Sequence, residues 1–307
     1  MPTNNYHIDL DHAILRTLLY FDIFGYPLKA VEILNFLPVK ADSRHLQLTL
    51  DALAFENQIT CVDDLYAVQP ETDVFTRRLK GNALADALLP TVEKQAEVIS
   101  RFPFVRAVMA SGSFSKNFMD KNSDFDFFIV CAPQRVWVSR MLLVLYKKLF
   151  LKNSHRHFCV NYFVDENHLE IDEKNIFTAT ELATVLPLTG SAGYKRLMAA
   201  NEKWLKNYFP NYLERIPPDE KHEPLAKRIV EKCIDWTIGD SLNRIFKNIT
   251  LHRWKKMYGN SYSPEDFSLA FKSTDHVSKN HPRNFQKRVL DEFQFRIDKA
   301  TKRAEVL

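Results

Sequence analysis

Glycine is scarce in this chain, 7 in 307 residues. None falls in a G-x-G-x-x-G or G-x-x-x-x-G-K-[ST] run, so the commonest glycine-rich phosphate loops are excluded. Cysteine is scarcer still. Cys61, Cys131, Cys159 and Cys233 are far apart and set in apolar surroundings, without a C-x-x-C or other zinc spacing. That excludes a disulfide framework and a cysteine-based zinc module, and leaves four buried free thiols as the expectation. No apolar run is long enough to span a bilayer, and residues 1–11 are too polar for a signal peptide. No membrane partner is expected, and the expected location is cytoplasmic. Charge of neither sign dominates. With 42 Lys and Arg against 38 Asp and Glu the net charge is +4, which permits a polyanionic partner without demanding one.

What remains is a globular composition, 46% hydrophobic and 26% charged, long enough for two domains. The most informative stretch is residues 105–130, VRAVMASGSFSKNFMDKNSDFDFFIV. An apolar run ends in Ser-Gly-Ser, a polar connector follows, and Asp-Phe-Asp leads into Phe-Phe-Ile-Val. Strand side chains alternate, so Asp124 and Asp126 point to one face and could seat one or two Mg²⁺ ions. Gly112 allows close backbone approach, and Ser113 with the following amides can hold an anion. Lys116, in the connector, is either a further phosphate contact or a solvated loop residue.

This arrangement, Gly112-Ser113, a ten-residue connector and Asp124-Phe125-Asp126, resembles the DNA-polymerase-β-like nucleotidyltransferase superfamily. The resemblance covers roughly residues 104–163. It implies a small mixed sheet, a Mg²⁺ site at Asp124 and Asp126, and a nucleoside triphosphate held by Gly112, Ser113 and Lys116. It also implies transfer of a nucleoside monophosphate to an acceptor hydroxyl on a small molecule, protein or RNA. The superfamily usually adds a third carboxylate on a later strand, and here that position falls on Asn161. An amide is a weaker Mg²⁺ ligand and no base at neutral pH. Three alternatives follow. Asp165 or Glu170 supplies the carboxylate in a shifted register, the substrate supplies the ligand, or the site binds nucleotide without turnover, as a sensor would.

Around this stretch the chain reads as an α+β protein. Apolar spacing predicts helices over residues 12–24, 28–37 and 43–57, then a hairpin over 59–68 turning at Asp63-Asp64. Three helices and a hairpin resemble a winged helix-turn-helix. Arg44 is the only clear cation of the third helix, so DNA is an alternative partner rather than the favoured one. The expected division is a winged-helix-like module over 1–70, a helical connector over 71–103, the sheet core over 104–176 and a helical substrate region over 177–307. Strands are expected at 104–110, 124–131 and 158–164, with a fourth starting at 169–171 and a helix over 136–151. Arg77, Arg78 and Lys80 read as a solvated face. His155 and His157 form a His-x-His pair without a third zinc ligand. Tyr194, Lys195, Asn201 and Trp204 are candidate pocket residues. Thr178 or Thr180 is the expected cap of the following helix. Residues 210–224 read as a proline-rich linker, 225–258 as one long helix with an apolar stripe, and 272–284 as a polar interhelical loop.

Overall fold

The computed structural model describes residues 9–68, 73–151, 158–220, 223–281 and 284–304. Chain order begins with α1 (Leu10–Asp22), β1 (Leu28–Lys29), α2 (Ala30–Phe36), α3 (Ser43–Phe55), β2 (Thr60–Val62) and β3 (Leu65–Ala67). Asp9 and Asp42 cap α1 and α3 by accepting backbone N–H groups of their first turns. Asp63 and Asp64 take φ of 50° and 60°, the two left-handed residues a tight hairpin turn requires, and they join β2 to β3. The three strands form an antiparallel sheet in the order β1-β3-β2. Residues 28–37 are thus a strand followed by a helix, because Leu28 and Lys29 pair with Tyr66 and Leu65 before the helix starts.

Next come α4 (Val74–Ser100), β4 (Val105–Ser111), the single turn α5 (Gly112–Ser115), β5 (Asp126–Cys131), α6 (Val136–Phe150) and β6 (Cys159–Asp165). They are followed by α7 (Ile176–Thr184), β7 (Leu186–Thr189), α8 (Ser191–Tyr208), α9 (Leu225–Thr237), α10 (Gly239–Tyr258), α11 (Pro264–Ala270), β8 (Val277–Lys279) and α12 (Phe285–Ala304). The second sheet is mixed, in the order β7-β4-β5-β6-β8, with only the β5–β6 pair parallel. The whole is a mixed α and β chain with two small sheets.

Alternation sorts the central strands into two cores. Phe125, Phe127, Ile129 and Cys131 pack with Val108, Ala110, Trp137 and Phe163 on one face. Phe128 and Val130 pack with Met109, Val164, Leu182 and Leu197 on the other. Each large side chain removed from water in this way is worth roughly 1.5–3 kcal/mol. A third core joins Ile14, Leu18, Leu28 and Leu50 of the N-terminal elements to Phe118 of the connector and to Val289 and Phe293 of α12.

Several expectations change. No strand forms at 169–171; Leu169 and Ile171 are buried in irregular backbone, tied down by Asn201. β7 and β8 carry no sequence signal of their own, being four and three residues long. Pro187 is compatible with β7 because that strand is an edge. Asn175, and not Thr178 or Thr180, caps α7. Residues 225–258 divide at Ile238, and of the expected apolar stripe Ile229, Ile238, Ile245 and Ile249 face solvent while Leu242 and Phe246 pack inward. The helices dock through Ile234, Leu242, Phe246 and Trp254, which pack against the sheet and α6, and through polar groups as well. Lys227 donates to the Ser100 and Val105 carbonyls, Glu231 accepts from Arg106 and the Phe104 N–H, and Asn243 accepts the Trp137 N–H at the start of α6. Cys61 and Cys233 are exposed, while Cys131 is buried. Arg78 is buried against Glu32 at 2.7 Å and over the Tyr26 ring, and Arg77 bonds the Phe24 and Gly25 carbonyls, so of this cluster only Lys80 is exposed to solvent. No helix among the described residues is long and apolar enough to cross a membrane.

Candidate active site

Two neighbouring strands and their connecting turn create the site. Ser111, the last residue of β4, lies opposite Asp126, the first of β5. The chain then turns at Gly112, whose φ is +65°, and runs directly beside the Asp126 carboxylate. A Cβ at Gly112 would stand 2.6 Å from Asp126 Oδ2, so only glycine suits both the backbone angle and the approach. Asp124 precedes β5 and so lies outside the strand expected at 124–131. Alternation still keeps it with Asp126, because Phe125 between them points into the opposite core.

The connector is held rigidly. Asp120 accepts from the Ser123 hydroxyl at 2.9 Å and from the Asn122 N–H at 2.9 Å, closing a turn just before Asp124. Met119 N–H donates to Gly81 O at 3.1 Å, Asn82 donates to Asn117 O, and the Tyr26 hydroxyl donates to Lys116 O. Phe118 lies so close over Gly81 that a Cβ there would meet its ring at 2.3 Å. The segment between the turn and the carboxylates is thus clamped by α4 and by Tyr26.

Asn161 reaches the same place through a bulge. Asp126 pairs with Cys159 and Phe127 with Val160, but Phe128 pairs with Tyr162, leaving Asn161 as the extra residue of β6. Its Nδ2 donates to Asp126 Oδ1, and its Oδ1 accepts from the Cys159 thiol at 3.0 Å. Burial, with Asp126 next, pushes that thiol up to about 12, so Cys159 is not a nucleophile at neutral pH.

Neither alternative carboxylate from the sequence joins the pair. Asp165 lies at the far end of β6, five residues along the parallel ladder, or about 17 Å at ~3.3 Å per residue. Glu170 is exposed and paired with Lys174. The carboxylate that does face the site is Glu181 of α7, which the sequence showed only as a residue of that helix. Lys116 Nζ binds Glu181 Oε1 at 2.6 Å and Gly112 O at 3.0 Å, so it is neither free nor solvated. Burial, then the charges of Asp124 and Glu181, push the Asp126 carboxyl up to about 7. Three acids around one partly buried point, offset by one lysine, leave an excess of negative charge. Hard oxygen donors in that arrangement suit a divalent cation such as Mg²⁺.

Two more residues approach from segments that read as linker and loop. Arg215, partly buried, donates to Ser115 O at 2.7 Å at the end of the α5 turn. His281 follows Asn280, whose N–H donates to Asn161 O at 2.9 Å. By contrast, Asn201 and Trp204 are core residues. Asn201 accepts the Ile171 N–H and the Trp204 indole N–H and donates to Leu169 O, all at 2.8 Å. Tyr194 is fully buried beside the Arg215 backbone, and Lys195 is exposed. Ser113 is exposed at the turn. His155 and His157 lie outside the described residues.

A second group of ligating side chains stands at the other end of β6. Asp165, His168 and His276 bring their donor atoms within 4.8 Å of one another, and this group could hold a metal ion. A cavity of about 290 Å³ opens on another side of α7, lined by Arg16, Tyr20, Phe36, Ile176, Thr180 and Tyr208 among others.

His281 makes a pH dependence measurable. Burial, then the charge of Lys279, holds its imidazole down to about 4, against 6.5 for a free histidine. A base with a depressed folded pKa stabilises the fold above 6.5 and gives that up as pH falls toward 4. Allowing for its partial exposure, the wild type should lose about 1–2 kcal/mol more between pH 7 and pH 5 than His281→Asn. Denaturant midpoints of both proteins at pH 7, 6 and 5 check this, and parallel curves would contradict it.

Compared with family models, with curated proteins and with solved structures, the chain matches none.

Proposed function

We propose that the chain is a Mg²⁺-dependent nucleotidyltransferase, moving a nucleoside monophosphate from a nucleoside triphosphate to an acceptor hydroxyl. The observation that supports this most is the left-handed Gly112 turn, whose backbone lies directly against the Asp126 carboxylate. Asp124 and Asp126 would hold the metal, which when bound neutralises phosphate charge and polarises the α-phosphorus. Gly112 and Ser113 would cradle the outer phosphates, with Arg215 and Lys116 as nearby cations. The mixed-sheet order, antiparallel β4–β5 followed by parallel β6, supports the same reading. So does the N-terminal order of helix, strand, two helices and hairpin for a winged-helix-like module, for which a docking role fits better than DNA reading.

Glu181 takes the part left open by Asn161. In the resting chain it is neutralised by Lys116. When Lys116 turns to a phosphate, Glu181 is released to accept the proton of the attacking hydroxyl. Glu181→Gln should therefore lower pyrophosphate release about a hundredfold while leaving nucleotide affinity within about threefold. Asn161→Asp in that background should recover a measurable part of the rate. If Glu181→Gln turns over as the wild type does, Glu181 is not the base.

The primary test is Mg²⁺-dependent binding of nucleoside triphosphates and pyrophosphate release over an acceptor panel. Absence of metal-dependent binding would overturn the proposal. Binding without release would favour the second reading, a nucleotide sensor. The Asn161 amide, bonded to Asp126 where relatives of the motif have a carboxylate, is the observation on that side.

A further inference from the structure

We infer that Asp165, His168 and His276 form a second, separate metal site, selective for a zinc-class divalent ion and not for Mg²⁺. Asp165 is the last residue of β6 and is fully buried. Its two oxygens are fixed by backbone donors, Oδ2 by Gln134 N–H at 2.7 Å and Oδ1 by Asn167 N–H at 2.8 Å. Each oxygen keeps a lone pair, and an imidazole nitrogen faces each. His276 Nδ1 stands 3.3 Å from Oδ2, and His168 Nδ1 3.6 Å from Oδ1.

Those separations are the decisive numbers. Ligands about 2.0–2.2 Å from a tetrahedral ion lie roughly 3.3–3.5 Å from one another. The two separations run to different oxygens, so with one oxygen on the ion a single carboxylate–imidazole edge is nearly formed beforehand. The second imidazole, its donor within 4.8 Å, must close in. The two rings are stacked, with centroids 3.4 Å apart and planes 17° from parallel. Parallel rings aim their lone pairs side by side, so both must tilt to converge on one ion. Both can, because the His168 and His276 side chains keep 50% and 34% of their exposure. Two neutral imidazoles and one carboxylate suit Zn²⁺, Co²⁺ or Ni²⁺, whereas Mg²⁺ takes an all-oxygen shell. Three protein ligands leave the fourth position to water.

The ligands come from distant parts of the chain. Asp165 and His168 flank the turn after β6, whereas His276 immediately precedes β8. Its carbonyl already accepts the Asp165 N–H at 2.9 Å. An ion here clips the incoming end of β8 to the outgoing end of β6. The other end of β8 runs into Asn280, which bonds Asn161 beside Asp126. The site is thus an anchor for the strand that reaches the carboxylates, and the ion need take no part in chemistry there.

The test uses the full, tag-free chain stripped with chelator and titrated with Zn²⁺ alone, then with Co²⁺ as a spectroscopic substitute. One equivalent should bind per chain, with the intense visible absorption of four-coordinate Co²⁺, and the melting temperature should rise. His168→Ala, at an exposed position where folding is not at stake, should weaken Zn²⁺ binding at least about tenfold, as should His276→Ala. The double variant Asp124→Asn, Asp126→Asn should leave it unchanged, which separates this site from the Mg²⁺ site. Failure of Zn²⁺ to bind at micromolar concentration, or equal binding by the His168→Ala and His276→Ala variants, would overturn the inference.

Discussion

Asp126→Asn should abolish metal-dependent turnover, by about a thousandfold or more, and at the same time make the metal-free protein more stable. The loss follows from position. Asp126 carries one of the two carboxylates proposed to hold Mg²⁺, and about 4 kcal/mol of transition-state stabilisation corresponds to a thousandfold in rate. The gain follows from charge. Burial, Asp124 and Glu181 hold the Asp126 carboxyl up at about 7. An acid raised in the folded state costs nothing below its unfolded value near ~3.9. Its cost grows as pH rises and is complete above about 7. Asn is isosteric, accepts the Asn161 Nδ2 bond equally well and never ionises. Because the site is partly exposed, the variant should gain about 2 kcal/mol over the wild type between pH 5 and pH 8 in EDTA. Mg²⁺ should close that gap by stabilising the wild type alone. Melting curves at the two pH values, with and without Mg²⁺, read all three quantities. A gap independent of pH would mean that Asp126 does not carry the strain assigned to it.

The second large effect is structural. Gly190→Ala should cost about 3–5 kcal/mol, a large fraction of the roughly 5–15 kcal/mol by which ordinary proteins are folded. Gly190 joins β7 to α8 with φ of +75° and ψ of 58°, a conformation that alone costs an L-residue roughly 1–2 kcal/mol. An added Cβ would also stand 2.1 Å from Arg106 O and 2.5 Å from Ala107 Cα, both backbone atoms of β4. No flexible side chain is there to yield. The start of α8 must lift from the sheet, loosening the packing of Tyr194 and Leu197 beneath it. Gly259→Ala is the control, since nothing lies within 4 Å of its added Cβ and its φ is −57°. A Gly190→Ala denaturation midpoint within about 1 kcal/mol of the wild type would contradict the argument.

Much of the centre of the fold was legible in the sequence. The strands at 105–111, 126–131 and 159–165 and the helix at 136–150 fall within two residues of their expected bounds. Their hydrophobic runs were long, and their ends were marked by Gly112, Pro133 and charge. The pairing of Asp124 with Asp126 was legible for the same reason, as a consequence of period two. Glu181 was not, because it arrives from a helix 55 residues after Asp126 and α7 carries no local mark of where it docks. β8 is hidden by its length, and Asp165 stands at the end of β6 away from Asp126, which spacing alone does not reveal across a bulge. The α9–α10 stripe misleads in part. Leu242 and Phe246 pack inward, but Ile229, Ile245 and Ile249 face solvent, and Lys227, Glu231 and Asn243 add hydrogen bonds to strand and helix ends. Periodicity measures apolar faces and is blind to such docking.

The return of the C-terminal segment sets the order in which the molecule can be made. β8 closes the open edge of β6, and α12 supplies Val289 and Phe293 to a core begun by residues 10–53. A chain emerging from the ribosome therefore completes neither its first core nor the β8 edge of its sheet until residues 277–293 have been synthesised. Until then β6 presents a free edge that invites strand pairing with other chains, and α1 an uncovered apolar face. Contacts spanning more than 200 residues make for slow closure, so soluble yield should depend strongly on β8 and on Val289 and Phe293 of α12.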